Sequence, residues 1–410
     1  MPKKIFIIAC EPSGDSHGAP LVEELKKLAP GIEFTGLGGP RMAASGVRLL
    51  EDMTRISALG FGDVLRLYFT YLKIFNRALA EVESLKPDAV ILIDSPAFNL
   101  RFAKKISTIN RGGSASGGKK RIQVIYYIAP QIWAWGGRRV HTIKKTVSKM
   151  LVILPFEKEI YDKAGVPCEF VGHPLLDSIE IRTDRAALRE ALGIKPGELA
   201  VGILPGSREK EVKRILPLML ESARLLKKKM PETVFYLSDS QNVNRSVYDE
   251  ILLKKGTGKN SLPVPFLQDL GIRASEKSMR ETVSAMDFAF VTSGTATLET
   301  ALLGTPFFLF YKASWTTYAL GKRLIRVPFL GLVNLLAGKR VVPEFIQNGI
   351  HPETVAHEAE VLLKNPVLYE EMKKEFQKVR SLLGTSGASL RTAQAVQNSI
   401  QVNRGKLKIQ

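Results

Sequence analysis

The chain alternates short apolar runs with longer segments in which apolar positions recur at helical spacing. Short, almost wholly apolar runs are typical of strands buried on both faces of a parallel sheet. The predicted strands are residues 4–9, 33–37, 89–93, 122–127, 150–154, 169–171, 200–204, 233–237, 288–291 and 306–310, with a further one at 264–267. Strands that alternate with helices in this way predict an α/β fold, with helices on both faces of parallel sheets.

The length of the chain predicts more than one domain. At 410 residues it exceeds the usual size of a single domain. We expect two doubly wound domains, 1–178 and 179–360, followed by helices in 361–410 that cross back to the first domain. In such sheets ligands bind at the carboxyl ends of the strands, so the loops after the strands are where function is sought.

Composition narrows the function classes. Cys10 and Cys168 are too few for a disulfide framework and lack metal-ligand spacing, which suits a reducing compartment. The first apolar run meets Glu11 too early for a signal peptide or a membrane span, so we expect a buried strand there.

The chain is strongly basic, with 59 Lys and Arg against 40 Asp and Glu and a net charge of +19. Nucleic acid, an anionic membrane surface and phosphorylated substrates would each suit this charge. The basic residues are scattered, and the sequence lacks a helix-turn-helix, zinc-finger or aromatic RNA-binding signature. We therefore expect no nucleic-acid partner.

Two turns in the second half have the composition of phosphate-binding sites. Ser293-Gly294-Thr295 joins a predicted strand to a helix, where free backbone N–H groups and the positive helix end attract anions. Gly206-Ser207-Arg208 repeats the pattern, and its arginine supplies a forked donor. Glu299, one turn into the helix, could bind a diol such as ribose. For Ser293-Gly294-Thr295 the alternative is the capped start of an ordinary helix, with a favourable acidic residue in the first helical turn.

Polar residues also follow the strands of the first half. The turn after the first strand contains Glu11, Ser13 and Asp15, which suit a pocket floor, although Asp15 could equally be a helix N-cap. Asp94 follows the buried strand 89–93 and is a candidate general base. The side chains of Trp133 and Trp135 could line a cleft or lie in the core. His173 could contact a ligand or form hydrogen bonds with the backbone. The sequence does not separate these alternatives.

Residues 61–85 form the most unusual segment. Most of its positions are apolar or aromatic, while Arg66, Lys73 and Arg77 share one face of the predicted helix. It could be a core helix with a solvated basic stripe, or an interfacial surface whose aromatic side chains enter lipid or acyl chains. The apolar residues proposed for lipid contact are Phe69, Leu72 and Phe75.

Taken together, the motifs resemble the lipid-A-disaccharide synthase family, glycosyltransferase family 19. The matching stretches are Glu11-Pro-Ser-Gly-Asp15, Gly38-Gly39 with Met42, Asp94-Ser-Pro-Ala-Phe-Asn99, Pro130-Gln-Ile-Trp-Ala-Trp135, Leu154-Pro-Phe-Glu157, Gly172-His-Pro-Leu175, Leu204-Pro-Gly-Ser-Arg208, Ser293-Gly-Thr-Ala-Thr-Leu-Glu299 and Val342-Pro-Glu-Phe345. They run in order along most of the chain. The resemblance implies a GT-B fold, with two Rossmann-like, doubly wound domains facing across a cleft.

The resemblance also implies a reaction. UDP-2,3-diacylglucosamine would donate its sugar, with inversion, to 2,3-diacylglucosamine 1-phosphate, giving the β-1′,6-linked disaccharide and UDP. Inversion needs a base on the acceptor hydroxyl and stabilisation of the leaving UDP. Asp94 is the proposed base or its orienter, with Glu11 and Asp15 as competitors.

Carried over residue by residue, the resemblance implies the following contacts. The diphosphate would be held by Gly206, Ser207, Arg208, Ser293, Gly294 and Thr295, and the ribose by Glu299. Further contacts to the sugars are expected from Ser13, Asn99, Asn334 and Gln347. No Asp-x-Asp sequence occurs, so no metal and no other cofactor is expected.

Both substrates carry acyl chains, so the resemblance implies a membrane partner. The helix of 61–85, including Arg66, Phe69, Leu72, Lys73, Phe75 and Arg77, and the basic-apolar stretch 322–330 become docking candidates. The expected location is cytoplasmic, peripherally bound to the inner membrane through anionic lipid. A homodimer is left open.

Three other functions compete. Another GT-B enzyme, such as a UDP-N-acetylglucosamine 2-epimerase or a peptidoglycan glycosyltransferase, would suit the same phosphate turns, but the aromatic helix of 61–85 favours a lipid acceptor. A non-catalytic nucleotide- or lipid-binding module would leave the polar residues at several strand ends without a purpose. Nucleic-acid binding rests on charge alone.

Overall fold

The computed structural model describes residues 3–58, 64–114, 121–134, 136–179, 184–252, 270–275, 277–324 and 327–406. The chain forms two compact units, one made of Met1–Ser178 with Leu383–Gln410 and the other of Ile179–Leu382. Each unit contains its own sheet, and all recorded strand pairings are parallel. The α/β architecture with two Rossmann-like units is therefore confirmed.

The first unit has a seven-stranded sheet in the order β3-β2-β1-β4-β5-β6-β7. Its strands are β1 (Lys4–Ala9), β2 (Glu33–Gly38), β3 (Arg48–Asp52), β4 (Ala89–Ile93), β5 (Gln123–Tyr127), β6 (Lys149–Val152) and β7 (Cys168–Phe170). Its helices are α1 (Pro12–Leu28), α2 (Pro40–Ala44), α3 (Met53–Ala58), α4 (Val64–Leu85), α5 (Pro96–Ser114), α6 (Arg139–Thr146), α7 (Pro155–Lys163) and α8 (Leu175–Ser178), joined by the C-terminal helix, Ala388–Lys406.

Side chains that alternate along the strands of this unit fill two separate cores, one on each face of the sheet. Phe6 and Ile8 of β1 pack into the core under α4, α5, α6 and α7. Ile5 and Ile7 pack into the other, under α1 and the C-terminal helix. Because successive strand residues point to opposite faces, a strand covered on both sides must be apolar at nearly every position.

The second unit has a six-stranded sheet in the order β10-β9-β8-β11-β12-β13. Its strands are β8 (Leu199–Leu204), β9 (Thr233–Leu237), β10 (Ile272–Ala274), β11 (Phe288–Thr292), β12 (Phe307–Tyr311) and β13 (Glu344–Ile346). Its helices are α9 (Arg185–Ala191), α10 (Glu209–Lys229), α11 (Arg245–Leu252), α12 (Met279–Ala285), α13 (Thr295–Leu302), α14 (Trp315–Leu324), α15 (Leu332–Ala337), α16 (Pro352–Lys364) and α17 (Pro366–Leu382), with a 3₁₀ turn at Gln347–Gly349.

The predicted strands of the sheet interiors match the observed ones to within one or two residues, whereas β3, β10 and β13 were not predicted. These are three of the four outermost strands of the two sheets, where exposure removes the need for an apolar run; the fourth, β7, was predicted. The strand predicted at 264–267 lies outside the described residues. The chain returns to the first unit at Leu383, so α16 and α17 belong to the second unit.

None of the helices in the described ranges is both long enough and apolar enough to cross a bilayer. The two cysteines are free: Cys10 is buried and Cys168 is half-buried.

Candidate active site

Asp94 begins a strained turn at the carboxyl end of β4. Asp94 and Ser95 have φ angles of 48° and 44°, in the left-handed region that residues with a side chain seldom adopt. The Asp94 backbone N–H donates to the Tyr127 carbonyl at 3.0 Å, and the Asp94 carbonyl accepts from Asn99 Nδ2 at 2.8 Å and from the Tyr126 hydroxyl. Strain of this kind persists where the surroundings fix the backbone, and it is concentrated at functional sites.

The environment of Asp94 makes its carboxylate more basic. Burial, followed by the negative charge of Glu11, raises the pKa of Asp94. Burial and the charges of Glu11 and Asp94 likewise raise the pKa of the Cys10 thiol, and burial with neighbouring Cys10 and Glu11 raises the pKa of Tyr71. Cys10, Glu11 and Asp94 thus lie within electrostatic reach of one another, and Tyr71 lies within reach of Cys10 and Glu11. We call these four residues the Asp94 cluster.

Glu157 is a further buried carboxyl group beside this cluster, and sequence reasoning treated it only as part of a motif. Its side chain accepts hydrogen bonds from Trp133 Nε1 at 3.0 Å and from the Leu154 backbone N–H at 3.3 Å. Burial raises the pKa of Glu157 to about 7, and the charge of Asp94 contributes in the same direction. In the sequence it resembles an ordinary capping glutamate at the start of α7, so only its depth, with 2% exposed, distinguishes it.

Asp15 is buried, and its carboxylate is occupied by backbone groups. It accepts hydrogen bonds from the N–H groups of Gly39 at 2.9 Å, Arg41 at 3.1 Å and Met42 at 3.0 Å. A Cβ atom on Gly39 would lie 2.7 Å from Asp15 Oδ2, so this contact requires glycine there. The carboxylate fastens the start of α2 to α1, whereas Glu11 and Ser13 remain exposed at the start of α1.

The structure buries the two asparagines for which sugar contacts are predicted. Asn99 has no exposed surface, and its amide nitrogen donates to the carbonyls of Ile93 and Asp94. Asn334 is equally buried: its amide donates to the Val342 carbonyl and to Glu344 Oε1, and accepts from two backbone N–H groups. Both side chains hold loops. All four hydrogen-bonding positions of Asn334 are occupied, whereas Asn99 Oδ1 has no partner in the described chain, so a sugar contact of Asn99 stays a prediction.

In the second unit, the two predicted phosphate turns lie side by side. Strands β8 and β11 are neighbours, with Leu204 opposite Val291, so the turns that follow them share one edge of the sheet. A Cβ atom placed on Gly206, which has a φ of 109°, would lie 3.4 Å from the methyl group of Thr292. Gly294 has φ 155° and ψ −166°, a conformation available almost only to glycine. We call these turns together the two-turn site.

The helices that leave the two-turn site differ in charge. The first turn of α13 contains no acidic residue, so its N-terminus presents an uncompensated positive end. The first turn of α10 contains Glu209 and Glu211, and Arg208, with 78% of its side chain exposed, pairs with Glu211 at 3.0 Å. The start of α13 is therefore the better anion site, and Arg208 is accessible above the start of α10.

Glu299 is held by an arginine that sequence reasoning missed. Arg280 Nε lies 2.8 Å from Glu299 Oε2, and only 12% of the Glu299 side chain is exposed. Arg280 is near the start of α12, in a helix with no recognisable motif, so the sequence carries no signal for this pairing. The ion pair fixes the carboxylate at the base of α13.

Two buried polar atoms at the same edge have no partner within the described ranges. They are Thr292 Oγ1 and Gln347 Nε2. Gln347 leaves β13 with a φ of 54°. Of the five described non-glycine residues with positive φ, Asp94, Ile128 and Gln347 each directly follow a strand and Ser95 follows Asp94. Strained backbone is thus concentrated at the carboxyl edges of both sheets.

Helix α4 has an exposed apolar part and a part packed in the core, so each interpretation of the segment 61–85 applies to some of its residues. The side chains of Tyr68, Phe69 and Leu72 are 54%, 63% and 42% exposed, respectively, as an interfacial surface requires. Phe75 instead packs against Phe98 and Phe102, with ring centroids 5.2 Å and 5.5 Å apart, so its predicted lipid contact is corrected to a core contact.

The basic residues of α4 divide in a similar way. Lys73 is exposed, whereas Arg77 lies 3.7 Å from Glu51 in an ion pair. The Arg66 side chain lies outside the described residues. In the stretch 322–330, Lys322 and Arg323 are exposed, and residues 325 and 326 lie outside the described residues.

The structure shows the surroundings of Trp133 and His173. Trp133 is half-buried against Phe156, and Trp135 lies outside the described residues. His173 is buried, and its Nδ1 accepts a hydrogen bond from the Leu175 N–H at 3.2 Å. Burial lowers the pKa of His173 to about 3, so the imidazole is held by a backbone hydrogen bond.

Across the part of the chain that the structure covers, no group of three or more His, Cys, Asp or Glu side chains could hold a metal ion.

Comparison with known proteins gives one family. A family model described as lipid-A-disaccharide synthetase matches residues 5–398. A relative from Syntrophus aciditrophicus, named lipid-A-disaccharide synthase, is 40% identical over 391 residues, which cover 95% of this chain and 96% of the relative.

Solved structures show the same fold at low sequence identity. The UDP-GlcNAc 2-epimerase from Neisseria meningitidis, solved with UDP-GlcNAc bound, aligns with a TM-score of 0.58 and 13% identity over 98% of this chain and 100% of that one. The calicheamicin glycosyltransferase CalG4 aligns with a TM-score of 0.57 and 14% identity over 98% of each chain. The predicted GT-B type of fold is confirmed by these likenesses, which carry no further argument about substrates.

Proposed function

Because this chain belongs to the lipid-A-disaccharide synthetase family and so forms the lipid A disaccharide, we propose that it works by one inverting displacement. The donor is UDP-2,3-diacylglucosamine and the acceptor is 2,3-diacylglucosamine 1-phosphate. The acceptor 6-hydroxyl loses its proton to a base, its oxygen bonds to the anomeric carbon from the face opposite UDP, and the bond from that carbon to the phosphate oxygen breaks. The products are the β-1′,6-linked disaccharide 1-phosphate and UDP.

Asp94 is the proposed base. The observation that supports this role is its strained, multiply braced turn at a strand end, beside Glu11 in the Asp94 cluster. Because burial and Glu11 raise the pKa of Asp94, its carboxylate is a stronger base than that of an ordinary aspartate and accepts a proton from a hydroxyl more readily. Asn99 and Tyr126 hold its backbone, and Glu11 is the closest competitor for the role.

The two-turn site is proposed to bind the UDP diphosphate. Ser293, Gly294 and Thr295 would offer the backbone N–H groups at the start of α13, and Gly206, Ser207 and Arg208 would contact the same phosphates from the neighbouring turn. The N-terminus of α13 supports this assignment, because its first turn contains no acidic residue that would neutralise the positive helix end. A positive helix end stabilises the negative charge that develops on departing UDP.

Glu299, fixed by Arg280, would accept hydrogen bonds from the ribose diol with its second oxygen. Gln347, whose amide nitrogen is buried and unpartnered in the described chain, would donate to the donor sugar or its phosphate. Asp15 is proposed to act through α2 as a positioning residue.

We further propose that the enzyme works at the cytoplasmic face of the inner membrane, bound peripherally to anionic lipid. The acyl chains of both substrates lie in that membrane. Helix α4 carries the exposed side chains of Tyr68, Phe69 and Leu72 and also contributes Tyr71 to the Asp94 cluster, which supports lipid entry on that side of the first unit.

The reaction is tested by measuring UDP release from the donor with and without the acceptor, followed by mass spectrometry of the lipid product. We expect a disaccharide 1-phosphate only when both substrates are present. UDP binding without any disaccharide would contradict the proposed acceptor and favour another sugar.

The base is tested by Asp94→Asn, which keeps the size of the side chain and removes its basicity. We expect turnover to fall roughly 10²–10⁴-fold, the usual contribution of a general base, while the affinity for UDP stays the same. Asp162→Asn on the exposed side of α7 is the matched control. Turnover of Asp94→Asn near that of the control, with a large loss in Glu11→Gln, would transfer the role to Glu11.

A further inference from the structure

A basic groove runs between α5 and α6 on the outside of the first unit. It consists of two adjoining recesses of about 290 and 300 Å³, which share Lys104 and Thr142. Thr108, Lys145 and Thr146 line the first, and Arg101 and Arg139 line the second. We call this feature the α5–α6 groove; it lies outside the Asp94 cluster and was not singled out by its sequence.

The groove is built to attract anions. Helices α5 and α6 together carry seven Lys and Arg residues and no Asp or Glu. Arg101, Lys104 and Lys145 are exposed, and no carboxylate among the described residues pairs with them. The hydroxyls of Thr108 and Thr146 donate to the carbonyls of Lys104 and Thr142, so among the lining threonines Thr142 is the one whose hydroxyl is placed to add a neutral donor. The lysine and arginine side chains supply the charged donors that suit phosphate oxygens.

The position of the groove indicates the source of the phosphate. Helices α4, α5 and α6 cover the same face of the sheet, and α5 lies against α4 through the contact of Phe98 with Phe75. The groove therefore shares one outer layer with the exposed Phe69 and Leu72 of α4. Exposed apolar side chains, together with lysines that have no carboxylate partner in the described chain, form on one outer layer the kind of surface that binds at a lipid–water interface.

We propose that the α5–α6 groove binds the phosphate head groups of anionic lipids and holds the first unit on the membrane surface. The proposal rests on the peripheral membrane association proposed above and identifies where the head groups would bind. In this arrangement the aromatic residues of α4 enter the lipid while the groove holds phosphates at the level of the head groups. Nucleic acid suits the groove less well, because its lining contains no Phe, Tyr or Trp on which a base could stack, and His141 is its single aromatic ring.

The test uses the full-length protein and measures its binding to vesicles of phosphatidylcholine with and without phosphatidylglycerol. The groove variant is Lys104→Ala/Lys145→Ala, and the control is Lys27→Ala/Lys163→Ala, which removes the same charge from exposed positions outside the groove. Each lysine near an anionic surface contributes about 1 kcal/mol, so we expect the groove variant to bind phosphatidylglycerol vesicles about 30-fold more weakly. We expect the control to stay near wild type and the difference to shrink as salt is added.

Each outcome has a distinct meaning. Equal binding of the groove variant and the wild-type protein, or an equal loss in the control, would overturn the groove as a specific site. No binding of the wild-type protein to anionic vesicles would overturn both the groove and the membrane association. If the groove variant raises the KM for a short-chain, micelle-free acceptor in the absence of vesicles, the groove binds the substrate phosphate and the lipid assignment fails.

Discussion

At the scale of single residues, the surroundings of a polar side chain decide its role. Asp94 directly follows β4, whereas Asp15 and Glu157 lie in the first turns of the helices α1 and α7. Backbone N–H groups donate to Asp15, strained backbone and burial surround Asp94, and the Trp133 indole donates to Glu157. The sequence marks all three positions because strand ends carry function in this fold. It does not separate their roles, because the partners of each come from distant parts of the chain.

Glu157 provides a test of how burial sets protonation. Its pKa is raised from the ordinary 4.5 to about 7, so the folded protein binds this proton more tightly than the unfolded chain does. The free energy of unfolding should therefore decrease as the pH rises through that interval, by roughly 3 kcal/mol from this residue. Glu157→Gln should abolish that decrease, measured as urea unfolding at about pH 5 and about pH 8.

Glu159→Gln on the same helix is the control, because its carboxylate is 76% exposed. We expect this variant to retain the pH dependence of the wild-type protein. A pH dependence in Glu157→Gln as large as in the wild type would show that Glu157 is already ionised in the folded protein.

Substitution of Arg208 tests the proposed binding of the UDP donor to the two-turn site. We expect Arg208→Ala to weaken UDP binding by about 1.5–3 kcal/mol, the usual value for a hydrogen bond to a charged group. Isothermal titration with UDP measures this. Lys213→Ala is a suitable control, because Lys213 also pairs with a glutamate, Glu209, but lies one turn into α10, away from the turn that precedes the helix. An unchanged affinity for UDP would remove Arg208 from the two-turn site.

At the scale of helices and strands, predictability follows burial. Strands such as β1, β4 and β11 are covered on both faces, so nearly every position must be apolar and the apolar run is easily recognised. Strand β3, with the sequence Arg-Leu-Leu-Glu-Asp, lies at an edge and is at most half-buried. Its pairing with β2 depends on backbone hydrogen bonds that any side chain permits, and a search for apolar runs misses it.

Helix α4 also shows what sequence patterns do not predict about a single helix. Its hydrophobic pattern allowed either a core helix or a lipid surface, and the structure divides the helix between the two. The sequence could not make this division, because the phenylalanines that cover Phe75 come from α5.

The division of α4 predicts two different variants. Phe69→Ser/Leu72→Ser should reduce binding to anionic vesicles without changing the unfolding temperature, because both side chains are exposed. Phe75→Ser should instead destabilise the first unit by roughly 2–4 kcal/mol, because it opens the aromatic packing with Phe98 and Phe102. Vesicle cosedimentation and thermal unfolding distinguish them. Loss of folding in the first variant would place Phe69 and Leu72 in the core.

At the scale of the whole molecule, the first unit is assembled from both ends of the chain. The C-terminal helix covers one face of its sheet with Ala393, Val396 and Ile400, which are buried with Leu21 and Leu25 of α1. The sequence indicated that the last helices return to the first domain. Only the structure locates the return at Leu383 and leaves α16 and α17 in the second unit.

Ile400→Ala tests the energetic importance of this return. Removing a buried isoleucine should cost about 2–5 kcal/mol, and the loss should fall on the first unit alone, because the packing partners of Ile400 belong to it. Calorimetry should show a lower unfolding temperature for one transition while UDP binding is retained. Gln401→Ala, at an exposed position, is the control. A coincident shift of all transitions would show that the two units unfold together.

The return of the C-terminal helix also sets an order in time. On the ribosome, the residues of the first sheet emerge first, but the helix that covers one of its apolar faces emerges last, after the whole second unit. At the usual rate of synthesis this delay is roughly 10–40 s. During that interval Leu21 and Leu25 lack their final cover, so the nascent first unit should depend on chaperones, and the second unit, although later in the sequence, should be the first to complete its fold.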